Sequence, residues 1–252
     1  RRKILSERKP NYFRSIYLDP YTEDFTNFYK LPEPGTLNVI CVVPENESKI
    51  RDVLEEAIQE SDRSRPLLVV LPMTSSSALD TETMRSLASR YGVAICVALN
   101  RNNSVTDYLL ATPDGLETFI SEEGIEKGES PFRLLHYGPA AIAMIPYELF
   151  KHPEFSAAFS KLGGDLVVLS EDVMSSESRL LSRIKATAGV AITVCANNGG
   201  MVYEVPNVHE SWKGKSMGGT GLLTYEIDTN VTRKKQFQNR IDYDILLKKN
   251  RK

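Results

Sequence analysis

The chain has 252 residues, of which 41% are hydrophobic and 25% are charged. This composition fits one large globular domain or two small ones with a sizeable buried core, and it excludes global disorder. The 31 lysine and arginine residues nearly balance the 33 aspartate and glutamate residues. The resulting net charge of −2 gives no bulk electrostatic reason to expect a nucleic acid or an acidic membrane as a partner.

Targeting signals and cysteines indicate the compartment. No window approaches the roughly 18 apolar residues that span a bilayer, and Arg1–Lys3 lacks the apolar stretch of a signal peptide. We therefore expect a cytoplasmic protein with no membrane partner. Cys41, Cys96 and Cys195 each lie in an apolar run, which predicts buried thiols rather than disulfides. Because the first residue is Arg and not Met, we expect a fragment of a longer polypeptide.

Strands and helices alternate from residue 36 onward. Residues 1–35 show no sustained hydrophobic periodicity, and we interpret them as a connector from an upstream region. Periodicity then predicts strands and helices in turn. In chain order they are a strand at Leu37–Val43, a helix around Ile50–Ile58, a strand at Pro66–Pro72, a helix that Asp80 or Thr81 caps and Gly92 ends, and a strand at Val93–Leu99.

The second half begins with a hairpin. Thr112–Gly115 is a turn between two short strands that span Val105 to Ile120. After a polar loop at Gly124–Pro131, the pattern predicts further strands and helices. They are a strand at Ala140–Ile145, a helix opened by Pro153, a strand at Leu166–Leu169, a helix whose buried face includes Leu180, and strands at Val190–Ala196, Met201–Val205 and Gly221–Ile227.

This order predicts an α/β fold with mixed sheets, because helices alternate with strands while hairpins interrupt the parallel pattern. We assign residues 36–231 to this domain. The basic, largely polar residues 232–252 are assigned to a C-terminal tail.

Four segments resemble motifs of the nitrilase, or carbon–nitrogen hydrolase, superfamily in order and spacing. They are Leu68–Met73, Ala88–Leu99, Ala141–Glu148 followed by Pro153-Glu154 and Gly164–Leu166, and Ala186–Gly199 followed by Gly218–Gly221. The resemblance implies an α-β-β-α sandwich with two mixed β-sheets. It also implies self-association, since active members of the family commonly form dimers.

The catalytic positions of that family are altered in this chain. The family's chemistry needs a cysteine nucleophile, a glutamate that moves protons and a lysine that stabilises the oxyanion. Pro146 stands at the nucleophile position and Met73 at the glutamate position, while Lys127 is only a distant candidate for the lysine. The resemblance therefore implies a domain without catalytic residues of its own.

A residual pocket remains a candidate site. The resemblance assigns five residues to it, namely Tyr147, Glu148, Cys195, Asn197 and Asn198. A relocated nucleophile, Cys195 with His136 or Glu148, is one interpretation. The alternative is that Cys195 is a buried packing residue and Glu148 a buried structural carboxylate.

Neither a metal nor a cofactor is expected. His136, His152 and His209 show no ligand spacing, and Gly214–Ser216 lacks the glycine and the preceding strand of a phosphate loop. Basic residues cluster at both ends of the chain. We take Arg233, Lys234, Lys235, Lys248 and Lys249 as candidates for weak nucleic-acid binding through phosphate neutralisation, with solvated tails as the alternative.

The function expected from the sequence is that of an inactive nitrilase-like domain, an oligomerisation or interaction module of a larger protein. Nitrilase-like domains also occur behind reverse transcriptases in bacterial antiviral-defence proteins, and this chain is compatible with that setting. Two alternatives stay open. One is an active amidohydrolase with relocated catalytic groups, and the other is an accessory nucleic-acid-contacting domain.

Overall fold

Two β-sheets pack face to face, with helices on both outer faces, in the computed structural model of this chain. The structure describes residues 30–101, 105–186, 189–204 and 213–233. Leu31 and the helix that ends at Arg233 pack on this body just outside the predicted limits of 36 and 231.

Seven strands form the first sheet. They are β1 Thr36–Val43, β2 Leu67–Val70, β3 Thr74–Ser75, β4 Ala94–Arg101, β5 Val105–Thr112, β6 Gly115–Ser121 and β13 Gly221–Asp228. Their order is β13–β1–β2–β4–β5–β6, with β3 beside β4. β1, β2 and β4 are mutually parallel, whereas β13, β5 and β6 pair antiparallel.

Six strands form the second sheet. They are β7 Leu135–Tyr137, β8 Ala140–Met144, β9 Leu166–Glu171, β10 Ala191–Ala196, β11 Gly199–Tyr203 and β12 Gly214–Gly218. Their order is β12–β11–β10–β9–β8–β7. β8, β9 and β10 are parallel, while β7, β11 and β12 pair antiparallel. The predicted mixed sheets are therefore confirmed.

Helices cover the outer faces of both sheets. The helices are α1 Ile50–Glu60, α2 Thr81–Tyr91, α3 Glu122–Glu126, α4 Tyr147–Phe150, α5 Pro153–Lys161, α6 Ser176–Ala186 and α7 Thr229–Arg233, and a 3₁₀ turn spans Glu47–Lys49. The predicted ends of α2 are confirmed: Asp80 Oδ1 accepts from the Thr83 N–H at 2.7 Å, and Gly92 takes a φ of 68°. None of the described helices combines the length and the apolar character that crossing a membrane requires.

Three apolar layers result from strand alternation. On β1, Val39 and Cys41 face the second sheet, whereas Ile40 and Val42 lie under α1 and α2. The outer face of the second sheet packs under α4, α5 and α6. This arrangement is the predicted α-β-β-α sandwich.

Three local expectations differ from the structure. Ser121 Oγ accepts from the Gly124 N–H at 2.9 Å and so begins the short helix α3 within the predicted loop region. β12 was not predicted, because its sequence is polar and glycine-rich and it is an exposed edge strand. Leu180 is 58% exposed, so the prediction that it lies on the buried face of α6 is wrong.

Candidate functional site

The carboxyl ends of β8 and β9 lie side by side, as their parallel pairing requires, and the segment after β2 of the first sheet meets the end of β9. The two sheets are in direct contact there. The Met73 backbone N–H, just after β2, donates to the Glu171 carbonyl at the end of β9 at 3.0 Å. Face-to-face sheets are usually about 10 Å apart, so this bond marks a close approach of the two strand ends.

Small side chains extend this contact. The Ala98 N–H of β4 donates to Ser170 Oγ of β9 at 2.8 Å. Gly200 of β11 lies so close to β1 that an added Cβ would be 2.9 Å from the Cys41 Cβ. Packed residues therefore occupy the space between the sheets at this end.

The thiols of Cys41 and Cys195 lie in this contact. Cys41 Sγ donates to the Val194 carbonyl and Cys195 Sγ to the Val42 carbonyl, each at 3.7 Å. Both side chains have no solvent exposure. Burial, together with the neighbouring Cys41 thiol, raises the pKa of Cys195. Cys195 therefore lies in the core between the sheets and not in a pocket, which corrects the pocket assignment and agrees with the packing interpretation.

Pro146 and Met73 supply no catalytic group. Pro146 is buried and precedes α4, and its carbonyl accepts from the Phe150 N–H at 3.0 Å. Proline has neither a thiol nor a backbone N–H. The Lys127 ammonium forms an exposed ion pair with Glu123 on α3. Pro146 and Met73 therefore supply neither a nucleophile nor a base, and Lys127 lies in a surface ion pair on α3.

Glu171 is a half-buried carboxylic acid at the end of β9, and sequence reasoning did not identify it. Burial raises the pKa of Glu171 to about 7, with smaller contributions from Glu148 and Asp172, while the Tyr147 backbone N–H opposes the shift. The Oε1 atom is inaccessible to solvent and accepts no hydrogen bond from the described residues. A carboxylic acid in these surroundings is stable when it is protonated.

Glu148 differs from its predicted role. Its side chain is 78% exposed and pairs with Lys151 Nζ at 2.6 Å, so it is not a buried structural carboxylate. Lys151 Nζ also lies 5.4 Å from the ring centre of Tyr147. The Tyr147 ring packs against the apolar layer under α4, and burial raises the pKa of its hydroxyl.

A polar cavity of about 370 Å³ opens beside the same strand ends. Of the five predicted pocket residues, the described lining includes only Asn197, which donates from Nδ2 to Asp172 Oδ1 at 2.9 Å. Asn198 holds the loop before α6, with its Oδ1 2.8 Å from the Met174 nitrogen and its Nδ2 3.0 Å from the Met174 carbonyl oxygen. The structure thus does not assemble the five residues into one pocket.

Ligating residues are dispersed in the described ranges. His136 lies on β7, His152 precedes α5, and His209 lies outside the described residues. Nowhere in residues 30–101, 105–186, 189–204 and 213–233 do three His, Cys, Asp or Glu side chains meet in a way that could hold a metal ion.

Arg233 does not lie on a basic surface. Its guanidinium is 6% exposed, pairs with the fully buried Asp165 at 3.2 Å, and donates to the Pro139 carbonyl at 2.8 Å. The arginine is thus part of the core, which corrects its assignment to a nucleic-acid surface. Lys234, Lys235, Lys248 and Lys249 lie outside the described residues.

Solved structures of nitrilase-superfamily proteins share this architecture. XC1258 of Xanthomonas campestris, a CN-hydrolase superfamily protein, aligns with a TM-score of 0.57 at 16% identity over 86% of this chain and 97% of its own. An amidase from Nesterenkonia sp. AN1 aligns with a TM-score of 0.56 at 16% identity over 85% and 98% of the two chains. Saccharomyces cerevisiae Nit3 aligns with a TM-score of 0.54 at 13% identity over 79% and 93%.

Sequence comparison adds no relative: neither a protein-family model nor a curated protein matches the chain. At 13–16% identity, the structural likeness establishes the fold and nothing finer. Two mixed sheets between helical layers, aligned over most of each chain, identify this protein as one with the nitrilase-superfamily fold.

Proposed function

We propose that this chain is a nitrilase-fold domain without C–N hydrolase activity, which acts as an oligomerisation or interaction module of a larger protein. One observation carries the first part of the proposal. The sequence contains three cysteines, and all three side chains have no solvent exposure. A thiol that no substrate can reach cannot be the nucleophile of an amidase.

Electrostatics support the same conclusion. Burial raises the pKa of Cys96, and burial with the adjacent Cys41 raises that of Cys195, so neither thiol forms the thiolate that attacks a carbonyl carbon. In a mutant of the Nesterenkonia amidase, by contrast, the acetamide moiety of fluoroacetamide is added covalently at the active-site cysteine. Fluoroacetamide is therefore a direct probe of the difference between the two proteins.

We expect the folded chain to show neither turnover nor covalent labelling. Incubation with amides, nitriles and N-carbamoyl compounds should release no product, because all three cysteine thiols are buried. Fluoroacetamide should leave the intact mass unchanged, whereas the same reagent should modify the mutant of the Nesterenkonia amidase in which the adduct is seen. Mass spectrometry after unfolding and alkylation should then find all three cysteines free.

A matched variant separates the alternatives. Reproducible turnover of any substrate would contradict the proposal. Turnover that disappears in Cys195→Ala would identify Cys195 as a relocated nucleophile. Turnover that persists in that variant would place the chemistry elsewhere in the chain.

The helical layer over the second sheet is the proposed self-association face. Six large apolar side chains are exposed among the described residues, and four of them, Phe132, Leu162, Val173 and Leu180, at 37–63%, lie in or next to the segments that cover the second sheet. The Phe132 ring stacks on Phe155 of α5 with ring centres 5.0 Å apart. Apolar side chains grouped on one layer favour burial against another protein surface.

We expect the chain to form a symmetric dimer through this face. Light scattering should give twice the 28.3 kDa mass of the monomer, and a stable pair should bury about 1,200 Å² or more. Leu180→Glu should shift the equilibrium to the monomer, because it places a charge in the apolar contact. Leu222→Glu, at an exposed position on the first sheet, is the control and should leave the mass unchanged. A monomer at micromolar concentration would contradict the proposal.

The candidate parent protein is a bacterial antiviral-defence reverse transcriptase, on the basis of the sequence resemblance. The complete open reading frame tests this part directly. A polymerase domain encoded upstream of residue 1 is the expected result, and an unrelated neighbour would contradict it.

A further inference from the structure

Cys41 of β1 and Cys195 of β10 face each other across the two sheets. Cys41 Sγ donates to the carbonyl of Val194, the residue before Cys195, and Cys195 Sγ donates to the carbonyl of Val42, the residue after Cys41. Each thiol thus lies against the backbone beside the other cysteine. Burial and, after it, a hydrogen bond with the Cys41 thiol raise the pKa of Cys195, so the two thiols are in contact.

A glycine beside the pair allows this close approach. Gly200 is the partner of Cys195 in the β10–β11 register, and a Cβ added to Gly200 would be 2.9 Å from the Cys41 Cβ and 3.5 Å from its sulfur. Some Cα atoms of β1 lie within 8 Å of Cα atoms of β10, whereas facing sheets are usually about 10 Å apart. The two strands thus come near the Cα–Cα spacing of a disulfide, which is about 4.4–6.8 Å.

The third cysteine, Cys96, lies out of reach of Cys41. Both residues register with Val70 of β2, one from each side, so they are two strand spacings, or about 9–10 Å, apart. A disulfide needs Cα atoms closer than about 7 Å. Burial alone raises the pKa of Cys96, with no contribution from another thiol. Cys96 therefore has the burial of the pair without its proximity to a second thiol.

We propose that Cys41 and Cys195 are a latent disulfide, which forms when the chain meets a peroxide and joins the two sheets through the core. Both thiols are reduced and fully buried in the structure. Hydrogen peroxide is little larger than water, so it reaches them in smaller openings of the sheet contact than an amide substrate needs. Once one thiol has reacted, the second lies next to it, and the bond closes within the chain.

The oxidation balances with peroxide as the oxidant. The thiolate of one cysteine attacks a peroxide oxygen and the O–O bond breaks, which gives a sulfenic acid and a hydroxide ion that takes up the thiol proton to become water. The other sulfur then attacks the sulfenic sulfur, the S–O bond breaks, and the hydroxyl leaves as water with the second thiol proton. The thiol pair thus loses two electrons, and peroxide is reduced to water.

Treatment of the folded chain with hydrogen peroxide, followed by unfolding and alkylation, tests the proposal. Peptide mass spectrometry should find Cys41 joined to Cys195 and Cys96 alkylated, and dithiothreitol should restore the free thiols. Cys41→Ser and Cys195→Ser should lose the bond, whereas Cys96→Ser, at an equally buried position, should keep it. Mapping in the parent chain does not depend on the folding of any variant.

The urea-unfolded chain is the matched control for the role of the fold. In an unfolded chain the shorter loop closes more readily, so the Cys41–Cys96 bond should be more abundant than the Cys41–Cys195 bond. The folded chain should reverse this preference. The oxidised chain should also unfold at a urea midpoint about 1 M higher, because a bond that closes a loop of about 150 residues restricts the unfolded state.

Three results would overturn the proposal. The same pairing in the folded chain and in urea would show that the bond forms only in unfolded molecules. Bonds between chains on a non-reducing gel would show that the thiols react at a surface. A urea midpoint that oxidation leaves unchanged would show that the bond does not hold the sheets together. None of these results depends on C–N hydrolase activity or on self-association.

Discussion

Replacing Arg233 by methionine is expected to lower the free energy of unfolding by about 3–5 kcal/mol, the cost of leaving a buried charge without its partner. Asp165 is fully buried, and its side chain is 3.2 Å from the Arg233 guanidinium. Methionine keeps much of the side-chain volume but removes the positive charge. Urea denaturation at neutral pH measures the change.

The contacts of this ion pair explain the size of the effect. The Asp165 carboxylate also accepts from the Ala141 N–H at 2.9 Å and from the Thr232 hydroxyl at 2.6 Å. Arg233 donates to the carbonyls of Pro32 and Pro139. The substitution therefore leaves an ionised carboxylate and two carbonyl groups with fewer donors in the interior.

A double variant provides the control for the charge. Asp165→Asn combined with Arg233→Met removes both charges and should recover part of the stability that Arg233→Met loses. Arg65→Met breaks the exposed pair with Glu226 and should cost about 1 kcal/mol or less. If Arg233→Met were no more destabilising than Arg65→Met, the buried pair would not stabilise the fold.

The same contacts join the two flanks of the domain. The Gly35 N–H donates to Thr229 Oγ1 at 2.8 Å, and the Thr229 N–H donates to the Gly35 carbonyl at 2.9 Å. Arg233 adds its bond to Pro32. These bonds hold the segments just before β1 and just after β13 side by side.

Local patterns sufficed to predict many of the elements. The α2 helix begins at an aspartate that caps it and ends at a glycine with positive φ, and both signals lie within its own sequence. The β5–β6 hairpin was predicted because Thr112–Gly115 contains the residues that its turn needs. In both cases the determining interactions join residues close in sequence.

Interactions between distant residues could not be predicted in the same way. Arg233 lies in a basic run, and its partner Asp165 is 68 residues away. The sequence predicts the strand that carries Cys195 and places this residue near the pocket end of the strand. It does not fix the register of the strand, which decides on which face of the sheet a side chain lies. Glu171 ends an apolar strand and is half-buried, and nothing in the neighbouring sequence indicates a carboxylic acid with a raised pKa.

Replacing Glu171 by glutamine is expected to stabilise the protein above pH 7 by about 3 kcal/mol at most, the equivalent of the shift in its pKa. Burial raises the pKa of Glu171 from 4.5 to about 7, so the folded state retains a proton that the unfolded chain loses in this interval. In the parent chain, the contribution of Glu171 to the free energy of unfolding therefore declines as the pH rises from about 4.5 to about 7, and it is constant above about pH 7. Glutamine resembles the protonated acid and has no such dependence.

Urea unfolding of both proteins between pH 4 and pH 9 measures this difference, with the two curves meeting at the acidic end. Glu82→Gln is the matched control, because its side chain is 83% exposed and it does not contribute to the pKa shift of Glu171, so it should change stability little at any pH. Parallel curves for the parent chain and Glu171→Gln would show that the carboxylate is solvated when ionised. A difference that grows with pH would show instead that the strand ends hold Glu171 in its neutral form, where it packs as a structural residue beside Tyr147 and Met73.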